Sequence, residues 1–149
     1  MKNAIICDLD STLCDLSHRL HFIMKEKSKD KDWMAFYAGM SEDPINDWCF
    51  LIIDSLAKRG LDILYVTGRP EEYKNITIEW LRRNNCPING IFMRKTRDSR
   101  EDCIVKKEIF ETEIKNKYNI IFAIEDKESV TKTWRSLGLI TLQCANGLY

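Results

Sequence analysis

Apolar and polar positions along the chain fall into two alternating kinds of segment. Five short runs, 4–9, 61–67, 90–93, 120–125 and 139–144, are almost continuously apolar and rich in Ile, Leu, Val, Phe or Tyr. Runs this short and this uninterrupted predict strands covered on both faces rather than strands with one wet side. Between them, apolar residues recur at helical spacing. Leu16, Leu20, Ile23 and Met24 make a stripe in 16–27, and Trp48, Leu51, Ile52 and Leu56 make one in 47–59, where Lys58-Arg59-Gly60 is a stop signal. In 70–84 Pro70 suits a first helical turn and Tyr73, Ile76, Thr77, Trp80 and Leu81 form the inward face. Val105, Ile109, Phe110 and Ile114 do so in 102–117, and Val130, Thr133, Trp134 and Leu137 in 129–137, where Gly138 ends the helix.

Strands alternating with helices predict an α/β fold with a parallel sheet of about five strands and right-handed crossovers. The first crossover is too long for one helix. Residues 15–47 form an insertion with helices of its own, one over 33–37, expected as a small helical cap over the mouth of the sheet. The chain then reads as one domain of 149 residues, its core 1–14 and 48–149. With 44% hydrophobic and 31% charged residues it is not a disordered chain. Lys plus Arg and Asp plus Glu balance at 23 each, which argues against a broad nucleic-acid groove or an anionic membrane surface but not against a grip on one phosphate or one strand end. The first apolar run is too short for a signal peptide, and no run approaches a membrane span. The six cysteines lack metal-site spacing and are expected to be reduced, mostly buried thiols of a cytoplasmic protein. No obligate protein partner is evident.

In an open parallel sheet ligands bind outside the carboxyl ends of the strands, so what each strand ends in matters most. The first ends in Cys7-Asp8-Leu9-Asp10-Ser11-Thr12, the second in Val66-Thr67-Gly68-Arg69-Pro70, the third in Met93-Arg94, and the fourth in Ile124-Glu125-Asp126-Lys127. Four carboxylates on one rim require compensating positive charge, and hard oxygen ligands point to Mg²⁺. Lys106 lies four residues after Asp102 on the same helical face, where it can pair with Asp102 and reach a phosphate as a point charge.

The pattern Asp8-Leu-Asp10-Ser-Thr12, Thr67 at a strand end, Lys106, then Glu125-Asp126 resembles the four motifs of the haloacid dehalogenase (HAD) superfamily of phosphohydrolases. Asp98-Ser-Arg100-Glu-Asp102-Cys-Ile-Val-Lys106-Lys-Glu-Ile-Phe110 resembles the D-x-R-x-D-x-x-V-K-x-E-I-F segment of the 3′-phosphatase domains of phage polynucleotide kinase and its relatives, and Ala123-Ile-Glu-Asp126 and Trp134-Arg-x-x-Gly138 resemble their final segment. The resemblance implies a HAD-like Rossmannoid sheet and Mg²⁺-dependent phosphomonoester hydrolysis. Asp8 would be the nucleophile that forms an aspartyl-phosphate. Asp10 would protonate the leaving oxygen and later deprotonate water. Thr67 and Lys106 would hold the phosphoryl group. Asp8, the Asp10 backbone carbonyl and Asp126 would bind the metal, with Glu125 supporting. Arg19, Arg69 and Asp102 match further functional positions, and Thr12, Gly68, Arg94 and Arg100 are candidates for substrate contact.

Elementary chemistry agrees. A carboxylate attacks phosphorus only if the phosphoryl charge is shielded, covalent capture divides the hydrolysis into two easier steps, and a second carboxyl beside a charged neighbour can be kept protonated to serve the alkoxide. Ser11 stands where the family commonly has Gly, Glu125 replaces an Asp, and the stretch between Met93 and Asp98 is shorter than in the phage enzyme. No G-x-x-x-x-G-K-[ST] loop is present, so no kinase activity is implied. The leading substrate is a terminal 3′-phosphate on a polynucleotide; the alternatives are a free nucleotide or other small phosphometabolite, and a binding module without catalysis.

Blander readings stand beside several of these residues. Arg69 could pair with Glu71 or Glu72, and His18 and His21 could be solvated or structural rather than line the substrate entrance. The basic run 94–100 could be a loop in water rather than a phosphate clamp. Trp33, Phe36 and Tyr37 could pack the cap onto the body rather than stack on a base, and Trp48, Trp80 and Trp134 read as core residues.

Overall fold

The computed structural model describes residues 1–24 and 31–147. Strands β1 (Lys2–Cys7), β2 (Asp62–Pro70), β3 (Gly90–Arg94), β4 (Tyr118–Glu125) and β5 (Thr141–Gln143) form one sheet in the order β3-β2-β1-β4-β5, with every pair parallel. From the central β1 the chain builds outward to one side through β2 and β3, then returns to the other side for β4 and β5. That reversal opens a crevice at the carboxyl end of β1.

The helices are α1 (Trp33–Ala38), α2 (Asp47–Lys58), α3 (Lys74–Arg83), α4 (Asp102–Ile109) and α5 (Glu128–Ser136). Alternate residues of β1 feed two cores. Ile5 and Cys7 pack with Cys49, Ile53, Trp80 and Leu81 of α2 and α3, whereas Ala4 and Ile6 pack with Val105, Ile109, Val130 and Trp134 of α4 and α5. The sheet is therefore covered on both faces, which is why β1 and β2 carry no alternation. The positive φ of Gly60 and Gly138 reverses the chain after α2 and α5, as expected of those stops.

Residues 15–47 leave and rejoin the body side by side. Asp15 N–H donates to Pro44 O and Asn46 N–H to Leu13 O, each at 2.8 Å. Leu16, Ile23 and Phe36 form a small apolar cluster within this insertion. Tyr37 of α1 stacks on Tyr73 at 4.8 Å, and Trp33 on Tyr37 at 5.9 Å. This ladder ties the insertion to the body.

Several local expectations change. The stretch 16–27 is not an α-helix: a 3₁₀ turn covers Ser17–Phe22, and the expected continuation over 25–27 lies outside the described residues. Strand β2 runs on through a register irregularity to Pro70, which is extended (φ −61°, ψ 143°), and α3 starts only after a 3₁₀ turn at Glu71–Tyr73. The inward face of α2 is Cys49 and Ile53, while Trp48 (44% exposed) and Leu51 (67%) face out. Six consecutive apolar residues, 48–53, carry no helical phase, so the sheet chooses the buried side. Strand β5 is an edge strand with Leu142 exposed, since only β4 flanks it. Among the described residues no helix is long and apolar enough to cross a membrane. All six cysteines are unbridged, four of them buried.

Candidate active site

Asp8 follows β1 directly, and the chain then turns tightly: Thr12 N–H and Cys14 N–H both donate to Leu9 O at 3.0 Å. Ser11 takes φ +63° in that turn, the left-handed conformation in which glycine is unstrained, which is the physical reason a glycine is common there. The turn leaves Asp8 (4% exposed) facing the ends of β4 and α4. Buried Lys106 reaches in from α4 and donates from Nζ to Asp8 Oδ1 at 2.7 Å and to Glu125 Oε2 at 2.8 Å. The expected Lys106–Asp102 ion pair is not formed. Burial alone would lower the ammonium's pKa; Asp8 and Glu125 outweigh it and hold it above the ordinary lysine value.

Asp8, Glu125 and Asp126 bring one carboxylate oxygen each within 4.8 Å of one another. Three acids thus share one ammonium. Burial, then the neighbouring Asp8, push Glu125 up to about 7, and burial, Asp8 and Glu125 push Asp126 up to about 9. The cluster is short of positive charge. Glu125 Oε1 is taken by the backbone N–H groups of Asp126 and Lys127 at 3.2 Å, so both its oxygens are engaged. Thr12 Oγ1 lies 3.4 Å from Asp8 Oδ2 and 3.3 Å from Asp126 Oδ1. Asp126 Oδ2 is buried and has no hydrogen-bond partner among the described residues. An orphaned carboxylate oxygen beside two further buried carboxylates fits a hard divalent cation, with Asp126 rather than Glu125 as the open ligand.

Asp10 sits differently. Arg69 Nε donates to both its oxygens (3.3 and 3.1 Å), and Arg69 and Arg19 each donate an η nitrogen to Oδ1 at 2.7 Å. Burial alone would raise Asp10; Arg69 and then Arg19 outweigh it and hold the carboxyl well below the usual range. The two guanidinium groups therefore favour the ionised form of this carboxyl. Behind the arginines lies Asp43, a fully buried carboxylate from the insertion. It accepts from Arg19 Nε at 2.7 Å and Arg19 Nη2 at 2.6 Å, lies 3.4 Å from Arg69 Nη2, and lies 2.8 Å from His18 Nε2. Sequence reasoning missed Asp43, because nothing in the local pattern distinguishes Ser41-Glu-Asp-Pro44 from a polar turn. Arg19 also donates to Phe36 O and lies over the Phe36 ring at 4.2 Å.

A cavity of about 710 Å³ opens from this centre. Asp8, Asp10, Gly68, Arg69, Arg94, Arg100, Asp102, Lys106 and Glu125 line it. Of the remaining candidates, Thr12, Arg19, Thr67 and Asp126 stand behind the wall. Thr67, fully buried, accepts the Arg69 N–H at 3.2 Å. Arg94 is folded into its own loop: it donates to Gly68 O (2.9 Å), Asp98 O (3.0 Å), Arg100 O (2.5 Å) and the Asp102 carboxylate. Lys127 holds the other Asp102 oxygen at 2.9 Å. Burial alone would raise Asp102; Lys106, Lys127 and Arg94 outweigh it and keep the carboxyl low. A Cβ on Gly68 would stand 2.5 Å from Asp102 Oδ1, so any side chain there forces the Asp102 carboxylate to move. Arg100 is spanned by Asp98 and Glu108, both at 2.7 Å.

A family model described as the polynucleotide kinase PNKP phosphatase domain matches residues 2–149. Over 141 residues the chain is 23% identical to a bifunctional polynucleotide kinase/RNA ligase of Autographa californica nuclear polyhedrosis virus, covering 93% of this chain and 19% of that one. Two chains from structures of the Pnkp1/Rnl/Hen1 RNA repair complex superpose with TM-scores of 0.84 and 0.85 at 28% and 27% identity, over all of this chain and 48% and 44% of theirs. The class C acid phosphatase of Bacillus anthracis shares the fold, with a TM-score of 0.74 at 18% identity over 99% of this chain and 68% of its own. The chain spans less than half the length of the first three of these relatives.

Proposed function

This chain belongs to the family of polynucleotide kinase PNKP phosphatase domains, and on that footing we propose that it is a Mg²⁺-dependent hydrolase of the terminal 3′-phosphate of a polynucleotide. The observation that carries the reading is Lys106 Nζ between Asp8 and Glu125, beside the unpartnered Oδ2 of Asp126. A dication held by Asp8, Asp126 and the Asp10 carbonyl would draw charge from the phosphoryl oxygens and offset the acids around it.

An Asp8 oxygen attacks phosphorus as the bond to the 3′ oxygen breaks, giving an acyl phosphate on Asp8. Lys106 neutralises charge on the transferring group. Asp10 passes a proton to the departing 3′ oxygen; since Asp10 rests ionised, that proton arrives with the phosphomonoester monoanion. Asp10 then takes a proton from water, the resulting hydroxide attacks phosphorus, and the bond to Asp8 breaks to release inorganic phosphate. Arg19 and Arg69 hold Asp10 in place for both transfers, which accounts for arginines that do not face solvent.

Turnover of a 3′-phosphorylated oligonucleotide with Mg²⁺ is expected to exceed that of the 5′-phosphorylated one and to vanish in Asp8→Asn. Retained turnover in Asp8→Asn removes the nucleophile assignment. The cavity volume suits a free nucleotide equally well, and preference for nucleoside monophosphates in the same panel would make the chain a nucleotidase.

A further inference from the structure

Six cations line the cavity: Arg69, Arg94, Arg97, Arg100, Lys106 and Lys127. Five are paired with carboxylates, Arg69 with Asp10, Arg94 and Lys127 with Asp102, Arg100 with Asp98 and Glu108, and Lys106 with Asp8 and Glu125. Arg97 is the exception: among the described residues its side chain has no hydrogen bond, ion pair or ring contact. Its backbone is also unusual. Asp98 N–H closes a turn on Lys95 O at 3.1 Å, and Arg97, third in that turn, takes φ +68°. That position favours glycine, and a long side chain there is strained. A strained arginine kept unpaired on the wall of a cavity is an observation that folding alone does not explain.

The cavity is also much larger than one phosphoryl group; pockets of roughly 300–1,000 Å³ hold drug-sized ligands. The buried cations on its wall, Arg69 and Lys106, are committed to the catalytic carboxylates, and Arg97 on the same wall is exposed. We propose that Arg97 binds a second phosphate of the substrate, the internucleotide phosphodiester next to the reacting 3′-phosphate, and thereby separates a strand end from a free nucleotide. The inference rests on the strand-end reading above and goes beyond it in naming the phosphate that confers selectivity. It also sorts the basic loop: Arg94 and Arg100 build it, and Arg97 uses it.

The test compares kcat/KM for a 3′-phosphorylated oligonucleotide with that for a nucleoside 3′-monophosphate in wild type, Arg97→Gly and Lys95→Ala. Lys95 carries the same charge in the same turn but does not line the cavity. Arg97→Gly is expected to lower the oligonucleotide-to-mononucleotide ratio by about tenfold, as loss of one charged hydrogen-bonded contact does, and to flatten the salt dependence of oligonucleotide KM by about one phosphate contact. Its melting temperature is expected to hold or rise, because glycine relieves the turn. Lys95→Ala is expected to leave the ratio in place. An unchanged ratio in Arg97→Gly, or an equal fall in Lys95→Ala, overturns the inference alone. Wild type that hydrolyses the mononucleotide and ignores the oligonucleotide overturns the strand-end reading and this inference with it.

Discussion

Asp43 and Arg19 form a two-pronged ion pair, Nε to Oδ1 at 2.7 Å and Nη2 to Oδ2 at 2.6 Å, with both side chains almost wholly out of solvent. The same arginine reaches Asp10 at 2.7 Å. A carboxylate from the insertion therefore governs where the residue assigned to proton transfer can stand. Two buried guanidinium groups are balanced by two carboxylates, one facing the cavity and one behind it.

Asp43→Asn leaves both guanidinium groups to Asp10 alone. Breaking a buried pair by removing one partner costs about 3–5 kcal/mol. The expected result is a lower urea midpoint with an unchanged slope, together with a loss of turnover. A stability change within experimental error would mean that Asp43 does not share the arginine charge.

Lys106→Met keeps the length of the side chain and deletes its charge. Removing one preorganised donor from a transition-state site lowers kcat by about 10²–10³-fold. Stopped-time phosphate release is the measurement, and a fall of less than tenfold would count against a role in charge neutralisation.

Metal and pH are linked through Glu125 and Asp126. Their folded-state pKa values lie above the ordinary carboxyl range, at about 7 and about 9. Groups shifted this way contribute stability that is fully present below the unfolded pKa and lost as pH rises through the folded one. Metal-free protein is thus expected to lose stability from about pH 4 to pH 9. Mg²⁺ binds the ionised form, so it is expected to raise the melting temperature more at pH 8 than at pH 5. In Asp126→Asn the Mg²⁺ effect is expected to disappear and the metal-free melting temperature at pH 8 to rise. A Mg²⁺ shift equal at both pH values would sink this account.

Gly68→Ala puts a methyl group against Asp102 Oδ1. Asp102 is held on its other sides by Arg94 and Lys127, so it cannot retreat without breaking an ion pair. Overpacking of this kind costs about 1–3 kcal/mol. Differential scanning calorimetry is expected to register the loss, and Asp102→Ala in the same background to restore part of it. A neutral Gly68→Ala would show that the loop yields.

Much of the site could be read from the chain because its residues sit where strands end. Asp8, Glu125 and Asp126 follow apolar runs that could only be buried strands, and parallel strands deliver their carboxyl ends to one rim. Arg94 was found by the same logic, and it lines the cavity, but its guanidinium is engaged by its own loop and Asp102. A basic run in sequence says nothing about which arginine turns inward to cap the carbonyls of its own loop. Asp43 was invisible because its importance lies in partners 24 and 26 residues away. Arg97 shared the basic run with the candidates Arg94 and Arg100, and stood out only once those neighbours were paired off.

Order and chemistry along the chain were sufficient for the sheet, the layered helices and the cluster of acids, since apolar run length and strand-end residues are local properties. Charge pairing was not. Whether Lys106 meets Asp102 or Asp8, whether Asp10 rests ionised, and which cation stays unspent all depend on distances between elements remote in sequence. Electrostatic partners are chosen by proximity in space, and only the packed arrangement of β1, α4, β4 and the insertion supplies it.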